Sequence, residues 1–304
     1  MLADRIASMR LQASRAARSL RALPRRSVLP RQSLVWGAVA CALLTTTAWA
    51  DGLPPVEALK RFKVAPGFQV QLFAGEPEIR QPVSMSFDQR GRMWVIQYLQ
   101  YPTPAGLKVV KVDQYLRTIY DKVPEPPPKG PRGADRITIC EDTNGDGQAD
   151  TFKDFISTLN LATGLALGHG GVFVVKAPYL LFYADRNGDD VPDGDPEVLL
   201  TGFGMEDAHA LANSLQWGPD GWLYGAQGST VTAHIRGVTF QQGIWRYHPR
   251  TRQFELFAEG GGNTWGADFD RHGNIETAVR FQAEKPPAHP ACFGRGRGAD
   301  AAAR

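Results

Sequence analysis

Cysteine is scarce in this sequence, with only Cys41, Cys140 and Cys292 in 304 residues. Cys41 lies in an N-terminal apolar run, so two cysteines remain for the rest of the chain. This number is too small for a disulfide framework. The sequence also lacks the Cys-x-x-Cys-His string, which excludes covalent attachment of a c-type haem to this chain.

The common nucleotide and hydrolase fingerprints are missing as well. The chain contains no Gly-x-Ser-x-Gly elbow, no phosphate-binding P-loop and no Gly-x-Gly-x-x-Gly dinucleotide motif. Each of these motifs supplies a specific backbone geometry for its chemistry. Serine hydrolase, nucleotide and NAD chemistry therefore have no support in the sequence.

A basic surface is lacking once the N-terminus is set aside. Eight of the 34 Lys and Arg residues lie in residues 1–50, together with a single acid, Asp4. The remainder carries 26 basic and 30 acidic residues. Phosphate neutralisation requires clustered Lys and Arg, so nucleic acid is excluded as a partner.

The N-terminus has the three parts of a secretory signal. An Arg-rich stretch ends at Arg31, an apolar run covers residues 34–44, and Ala48-Trp49-Ala50 is a small-x-small cleavage site. The pattern predicts a signal segment over residues 1–50, cleavage before Asp51 and a periplasmic or cell-envelope location. No stable membrane span is expected after cleavage, because a span needs about 20 apolar residues.

Three other interpretations of this segment remain open. The first is an uncleaved membrane anchor. The second is twin-arginine export, which the Arg25-Arg26 pair would signal. The third is a lipoprotein signal using Cys41, although Ala38 occupies the place usually held by Leu.

An internal repeat dominates the rest of the chain. Four segments share an alternating apolar strand, a polar turn and a second apolar strand, with aligned turn glycines at Gly91, Gly171, Gly221 and Gly273. The last two intervals are 50 and 52 residues, and the first is 80. An insertion over residues 97–133, rich in proline near its end, explains the longer interval.

Each repeat contains about four apolar strands, because further strands precede the turns, at residues 68–75, 197–202 and 254–260, and others follow them. Four-stranded sheets that repeat at about 50 residues are typical of β-propeller blades, which bury their faces against neighbouring blades. The sequence therefore predicts an all-β fold, a partial β-propeller of three to four blades over residues 51–276. A β-sandwich is the alternative.

The strand pattern stops after Glu276. Residues 277–304 contain proline-rich and Gly-Arg stretches and an Ala-rich end, a composition that predicts a disordered tail. Since propellers protect their sheet edges by closing the ring, we hypothesise that the chain is a truncated or frame-shifted copy of a longer propeller. A natural short tail is the alternative.

Two acidic loops follow strands and share the pattern Asp-x-Asn-x-Asp with a further Asp eight residues after the first. Calcium takes six to eight oxygen ligands, and alternate residues of a tight loop can supply them. The predicted ligands are Asp142, Asn144, Asp146 and Asp150 in the first loop, and Asp185, Asn187, Asp189 and Asp193 in the second.

A plain β-hairpin turn is the alternative for these loops. The corresponding turn of the third repeat, residues 248–252, has no acid, so such a blade does not need carboxylates to turn. This comparison favours calcium, with the first loop as the stronger candidate because Asp190 replaces a glycine in the second. Such ions would stabilise the blades.

Three strings carry a family resemblance: residues 62–74, residues 135–147, and the Trp-Gly-Pro-Asp-Gly-Trp-Leu-Tyr-Gly string over residues 217–225. The chain resembles, over residues 58–276, the propellers of bacterial membrane-bound dehydrogenases, which are similar to soluble quinoprotein glucose/sorbosone dehydrogenases. The resemblance implies a six-bladed propeller, calcium, pyrroloquinoline quinone (PQQ) and oxidation of a sugar or alcohol. It also implies a cytochrome c electron acceptor.

The resemblance further implies a catalytic histidine shortly before the Gly-Pro-Asp turn. His209 is the matching candidate for the base that takes the proton of the substrate hydroxyl, with Asp207 or Glu206 to orient it. Histidine suits this role because its ordinary pKa, near 6.5, lets it accept a proton at neutral pH. His169 and Asn213 are the candidates for binding the cofactor.

Each of these candidates has a structural alternative. His209 can be a loop histidine without chemistry, His169 a turn residue between glycines, and Asn213 a loop cap. The alternative function is a non-catalytic, calcium-stabilised propeller that serves as a binding module. A calcium-dependent hydrolase on the same architecture is a third interpretation, since propellers host many activities.

Overall fold

The computed structural model describes residues 52–280, and the predicted signal segment lies outside them. One short helix, α1, covers Pro55–Leu59. The strands of the described residues are, in chain order, β1 (Pro82–Phe87), β2 (Met93–Gln97), β3 (Val109–Val112), β4 (Thr118–Tyr120), β5 (Asp135–Glu141), β6 (Thr151–Leu159), β7 (Ala162–Gly168), β8 (Gly171–Lys176), β9 (Tyr179–Ala184), β10 (Glu197–Thr201), β11 (Asn213–Trp217), β12 (Leu223–Gln227), β13 (Ala233–Ile235), β14 (Val238–Phe240), β15 (Gly243–His248), β16 (Gln253–Glu259), β17 (Asn263–Phe269) and β18 (Ile275–Arg280).

Three four-stranded antiparallel sheets form the body of the protein. Their strand orders are β1-β2-β5-β6 (blade 1), β7-β8-β9-β10 (blade 2) and β11-β12-β15-β16 (blade 3). The pair β17-β18 begins a fourth sheet. The first strands pack side by side, β1 on β7, β7 on β11 and β11 on β17. Successive sheets stacked through their innermost strands are the architecture of a β-propeller, which confirms the predicted fold class.

The hydrophobic core lies between the blades. Trp94 and Ile139 of blade 1 pack with Leu165 of blade 2. Phe173 of blade 2 packs with Trp245 of blade 3, which is completely buried. Large apolar side chains that alternate along a strand can fill both spaces beside a blade. This alternation is the reason that the repeat was visible in the sequence.

Two hairpins are inserted between the second and third strands of a blade. β3-β4 lies in the insertion of blade 1, and β13-β14 occupies the equivalent place in blade 3. The predicted insertion therefore contains regular structure. The backbone N–H of Thr118 donates to the carbonyl of Glu206 at 2.7 Å, which holds the β3-β4 hairpin against the loop that follows β10.

The turn between β7 and β8 differs from the sequence alignment. Gly171 was aligned with the turn glycines, but it is the first residue of β8, and the turn is formed by His169 and Gly170. Both residues have positive φ, 55° and 72°, as a two-residue type I′ hairpin requires. The alignment placed the turn one residue late because three glycines surround His169.

Two further boundaries differ from the sequence prediction. β18 continues to Arg280 and pairs with β17, four residues beyond the predicted end of the pattern at Glu276. The rest of the predicted tail, residues 281–304, lies outside the described residues. Residues 68–75, expected as an apolar strand before the first repeat, form none in the described structure.

Candidate functional site

The innermost strands run in the same direction, so each blade has two distinct ends. Two contacts between β7 and β11 show this direction. A Cβ atom added to Gly164, near the start of β7, would lie 3.0 Å from the backbone nitrogen of Ser214, near the start of β11. One added to Gly168, at the end of β7, would lie 3.1 Å from the side chain of Trp217, at the end of β11. We call the end at which β1, β7 and β11 begin the upper end, and the opposite one the lower end. The loops after β2 and β10 lie at the upper end, and both acidic loops at the lower end.

The loop between β10 and β11 carries an Asp–His pair at the upper end. His209 Nδ1 lies 3.1 Å from Asp207 Oδ1, and the backbone N–H of His209 donates to the same oxygen at 2.9 Å. Thr230 Oγ1 donates to the other carboxylate oxygen, Oδ2, at 2.6 Å. Asp207 is thereby held in one orientation against the imidazole ring. Of the two acids considered for this role, the structure places Asp207 on His209.

The electrostatics of Asp207 suit a partner for a histidine base. Burial raises its pKa, but hydrogen bonds from Thr230 and His209 outweigh burial and lower the pKa below its usual value. Asp207 is therefore ionised at neutral pH. The His209 side chain is 69% exposed, so a small molecule can reach it from solvent.

A tyrosine from the insertion completes this arrangement. The Tyr101 hydroxyl is hydrogen-bonded to His209 Nε2, and the two rings meet edge to face with centroids 5.0 Å apart. Tyr98 lies behind Tyr101 at 5.3 Å between centroids and donates its hydroxyl to the carbonyl of Ala208 at 3.2 Å. Neither tyrosine was among the residues predicted from the sequence. Both lie in the insertion over residues 97–133, for which no functional residue was predicted.

Asn213, a predicted cofactor ligand, is completely buried. Its Nδ2 donates to the carbonyls of Leu211 and Thr264, at 2.8 and 3.2 Å, and its Oδ1 accepts from the backbone of Gly266 at 3.3 Å. The amide therefore ties β11 to β17. In this structure the role that fits Asn213 is the structural alternative, a cap of the loop.

His169, the other predicted cofactor ligand, lies at the lower end. Its ring packs on Trp217, 5.2 Å between centroids, and edge-on to Phe173 at 6.0 Å. Gly164 lies beside Ser214, near the start of both strands at the upper end. His169 is five residues further along the chain, so about 16 Å of extended strand separate it from that end. The structure does not bring His169 together with His209 and Asn213.

A groove of about 570 Å³ lies at the upper end, next to Glu206 but not lined by Asp207 or His209. It runs between the β3-β4 hairpin and the loop after β10, and its walls include Tyr120, Phe203, Met205, Glu206 and Thr232. Glu206 is the neighbour of Asp207 in sequence. The volume is within the range of small-molecule sites, and the walls combine apolar surface with a few polar groups.

In the first acidic loop the carboxylates accept hydrogen bonds from the loop itself. The N–H groups of Gly145 and Gly147 each donate to Asp142 at 2.7 Å, and Thr143 Oγ1 donates to Asp150 at 2.8 Å. The second loop has the same pattern around Asp185. No group of three or more His, Cys, Asp or Glu side chains within residues 52–280 is arranged to hold a metal ion. The calcium sites stay a prediction.

Asp190, the residue that replaces a glycine in the second loop, bridges two blades. Its carboxylate accepts two hydrogen bonds from Arg92 of blade 1, at 2.7 and 2.8 Å. Arg92 also donates through Nε to Asp88 at 2.7 Å and is only 7% exposed. The hydrogen bonds from Arg92 lower the pKa of Asp190. This cluster is a structural contact that the sequence pattern did not indicate.

A comparison with protein-family models identifies the family of this chain. The family model described as "Domain of unknown function (DUF7133)" matches residues 54–287, which is most of the chain.

The chain belongs to this family.

The solved structures include weak similarities to this DUF7133 chain. The holo PQQ domain of pyranose dehydrogenase from Coprinopsis cinerea is 14% identical with a TM-score of 0.46, and the match covers 71% of this chain and 47% of that one. The chain thus spans about half of that domain. Virginiamycin B lyase from Staphylococcus aureus is 11% identical with a TM-score of 0.28, over 69% of this chain and 81% of that one.

A third similar structure is an oxidoreductase of the glucose dehydrogenase type from Thermus thermophilus, 9% identical with a TM-score of 0.27, over 66% of this chain and 91% of that one. Among curated proteins, none matches this DUF7133 chain significantly. Similarities of this strength assign neither a substrate nor a residue role. Within residues 52–280, no helix has the length and apolar character that crossing a membrane requires.

Asp135 and Lys176 are a buried charged pair at the upper end of this DUF7133 domain. Asp135 accepts from the backbone N–H groups of Gln100 and Ala162, at 2.6 and 2.9 Å. Burial raises the pKa of Asp135 to about 6, although these hydrogen bonds lower it in part. Burial lowers the pKa of Lys176 to about 8, and the charge of Asp135 offsets this only partly. Asp135 thus ties blade 1 to the insertion and to β7.

Proposed function

We propose that His209 is the general base of a site that removes the proton from a hydroxyl group of a small molecule. The reaction class we propose is the oxidation of a sugar or an alcohol, which the resemblance of the sequence implies. The observation that carries the proposal is the contact of an exposed imidazole with Asp207, which is itself fixed by Thr230. The groove of about 570 Å³ at the same end, whose wall includes Glu206, has room for a monosaccharide-sized substrate.

The contact with Asp207 supports Nε2 as the basic nitrogen. A carboxylate can only accept hydrogen bonds, so Nδ1, 3.1 Å from Asp207 Oδ1, carries the proton of the neutral ring. Nε2 then has the free electron pair. When Nε2 takes a proton, the negative charge of Asp207 stabilises the imidazolium ion that forms. This division of roles is the general one for a histidine base oriented by a carboxylate.

The residues do not fit the quinone that the resemblance also implies. Of the two residues proposed to bind it, His169 is at the lower end and Asn213 is buried in hydrogen bonds to the backbone. The described side chains that hydrogen-bond to the His209 ring are the phenol of Tyr101 and the carboxylate of Asp207. A carboxylate gives no favourable charge to the carboxylates of PQQ. We derive no step through this cofactor.

The test measures dye-linked oxidation of a panel of sugars and alcohols by the full chain, with and without added PQQ and calcium. His209→Ala is expected to lose at least about 100-fold in kcat/KM, the usual contribution of a positioned base. Asp207→Asn is expected to lose activity as well, because an amide can present an N–H to Nδ1 and reverse the tautomer. His272→Ala changes an exposed histidine of the β17-β18 turn and is the matched control.

Two results would contradict the proposal. The first is His209→Ala with activity within about threefold of the wild type, well short of the loss expected for a positioned base, which would remove the base from His209. The second is a wild-type protein that oxidises no substrate of the panel, with or without added PQQ and calcium. The alternative, a non-catalytic propeller that serves as a binding module, would then account better for the chain.

A further inference from the structure

Tyr101 occupies the position from which a substrate would approach the base. Its hydroxyl is hydrogen-bonded to Nε2, the nitrogen with the free electron pair. The rings meet edge to face at 85°, so the phenol points at the edge of the imidazole ring. A substrate hydroxyl that approaches Nε2 therefore meets Tyr101 first, although much of the imidazole ring is open to solvent.

The direction of each hydrogen bond follows from the donors present. Because Asp207 fixes the proton on Nδ1, Nε2 can only accept, and the Tyr101 hydroxyl must donate to it. A hydroxyl oxygen that donates its one proton keeps two acceptor positions. The Tyr101 oxygen can therefore accept a hydrogen bond from the hydroxyl group of a bound substrate.

We infer that Tyr101 is a further catalytic residue, a proton relay between the substrate hydroxyl and His209. This inference rests on the proposed function. The O–H bond of the substrate breaks and a new O–H bond forms on Tyr101, while the original Tyr101 proton moves to Nε2. The electron pair of the broken bond stays on the substrate oxygen, which becomes an alkoxide, and the positive charge rests on His209 beside Asp207. The relay itself consumes no oxidant.

The surroundings of Tyr101 support a fixed position. Its ring packs on Tyr98, a buried residue that is itself hydrogen-bonded to the carbonyl of Ala208 in the His209 loop. The Trp265 indole N–H donates to the carbonyl of His209 at 2.7 Å and fixes the same loop from the other side. A relay needs its two groups held within hydrogen-bond reach, and both partners here are anchored to neighbouring elements.

The first experiment is an NMR measurement that does not depend on enzymatic activity. In the full chain labelled with ¹⁵N-histidine, the His209 resonances are assigned by their loss in His209→Ala. Tyr101→Phe keeps the ring but removes the hydroxyl, so the Nε2 resonance is expected to shift downfield as it loses its donor. Tyr115→Phe removes the hydroxyl of an exposed tyrosine in the β3-β4 turn and is expected to leave that resonance in place. An Nε2 resonance unchanged in Tyr101→Phe would overturn the relay.

The second experiment is the oxidation assay. Tyr101→Phe is expected to lower kcat about 100-fold, with KM within about threefold, because the relay acts in proton transfer rather than in binding. The proton inventory in mixed H₂O and D₂O should indicate two protons in transfer for the wild type. An unchanged or increased kcat would show that Tyr101 only blocks access to His209, and would sink the relay.

The two proposals fail in different ways. If His209→Ala is inactive and Tyr101→Phe is fully active, the result supports His209 as the base and contradicts the relay through Tyr101. If His209→Ala is fully active, the result contradicts both the proposed function and the relay.

Discussion

At the scale of single residues, Lys176 has the least usual environment in the described structure. Its side chain is 1% exposed, and burial lowers its pKa to about 8. A lysine whose folded pKa lies below the unfolded value destabilises the fold while it is charged. Its contribution to stability is complete above the unfolded pKa and is lost as the pH falls through the folded value.

We predict from this shift that Lys176→Met removes a pH dependence of stability. The free energy of unfolding of the wild type, relative to the variant, should rise by about 2 to 3 kcal/mol between pH 7 and pH 10, since each unit of pKa shift is worth about 1.4 kcal/mol. Urea denaturation of both proteins at a series of pH values measures the difference. A constant difference would show that Lys176 has its ordinary pKa.

The contacts of single side chains were predicted less well from the sequence than the strands and blades were. His209 could be proposed from the family resemblance, and Asp207 or Glu206 because they precede it closely in sequence. The contact of Tyr101 with His209 joins residues 108 positions apart, and it arises because two loops from different blades meet at one end. Asn213 was proposed as a ligand or a loop cap, and the sequence does not show that its amide is buried.

At the scale of elements, one five-residue turn recurs. In residues 88–92, 113–117 and 270–274 an aspartate accepts the backbone N–H groups two and four positions later. The fourth residue has positive φ, 80° at Gly91, 63° at Leu116 and 78° at Gly273. The sequence predicted the first and third copies from their glycines. The copy in β3-β4 was missed because leucine takes the place of glycine.

This recurrence predicts that Leu116→Gly stabilises the protein. A left-handed conformation costs an L-residue about 1 to 2 kcal/mol, and Leu116 loses little packing because it is 79% exposed. The added flexibility of glycine in the unfolded chain offsets about 0.5 to 1 kcal/mol. A net gain of about 0.5 to 1 kcal/mol is expected in urea denaturation.

The equivalent position in blade 1 provides the matched control. Gly91→Ala places a Cβ in open space but in the same left-handed conformation, so it should destabilise by about 1 kcal/mol. If both variants lowered stability, backbone conformation would not be the deciding factor in this turn.

At the scale of the whole molecule, polar contacts join blades that are already stacked by apolar side chains. Arg92 reaches from the β1-β2 turn to Asp190 in the loop after β9, so blade 1 and blade 2 share a charged bridge at the lower end. The repeat of about 50 residues predicted the blades, since it reports the alternation of apolar side chains. It could not predict this bridge, because Arg92 and Asp190 belong to different repeats.

We predict that Arg92→Met destabilises the protein by about 3 to 5 kcal/mol, the cost of leaving buried charges without a partner. Asp88 and Asp190 would each lose the guanidinium group. Thermal and urea denaturation would measure the loss. Arg90→Met changes an arginine that is 59% exposed and 3.4 Å from the same carboxylate, so it should cost at most about 0.5 kcal/mol. Equal effects of the two variants would contradict a role for burial.

The separation of the two ends has a consequence for how such a protein can change over evolutionary time. The upper end contains His209, Asp207 and Tyr101, and the lower end contains both acidic loops; each set is carried by different loops. The full length of the strands lies between them. Substitutions in the loops of one end are therefore free to accumulate without disturbing the loops of the other end.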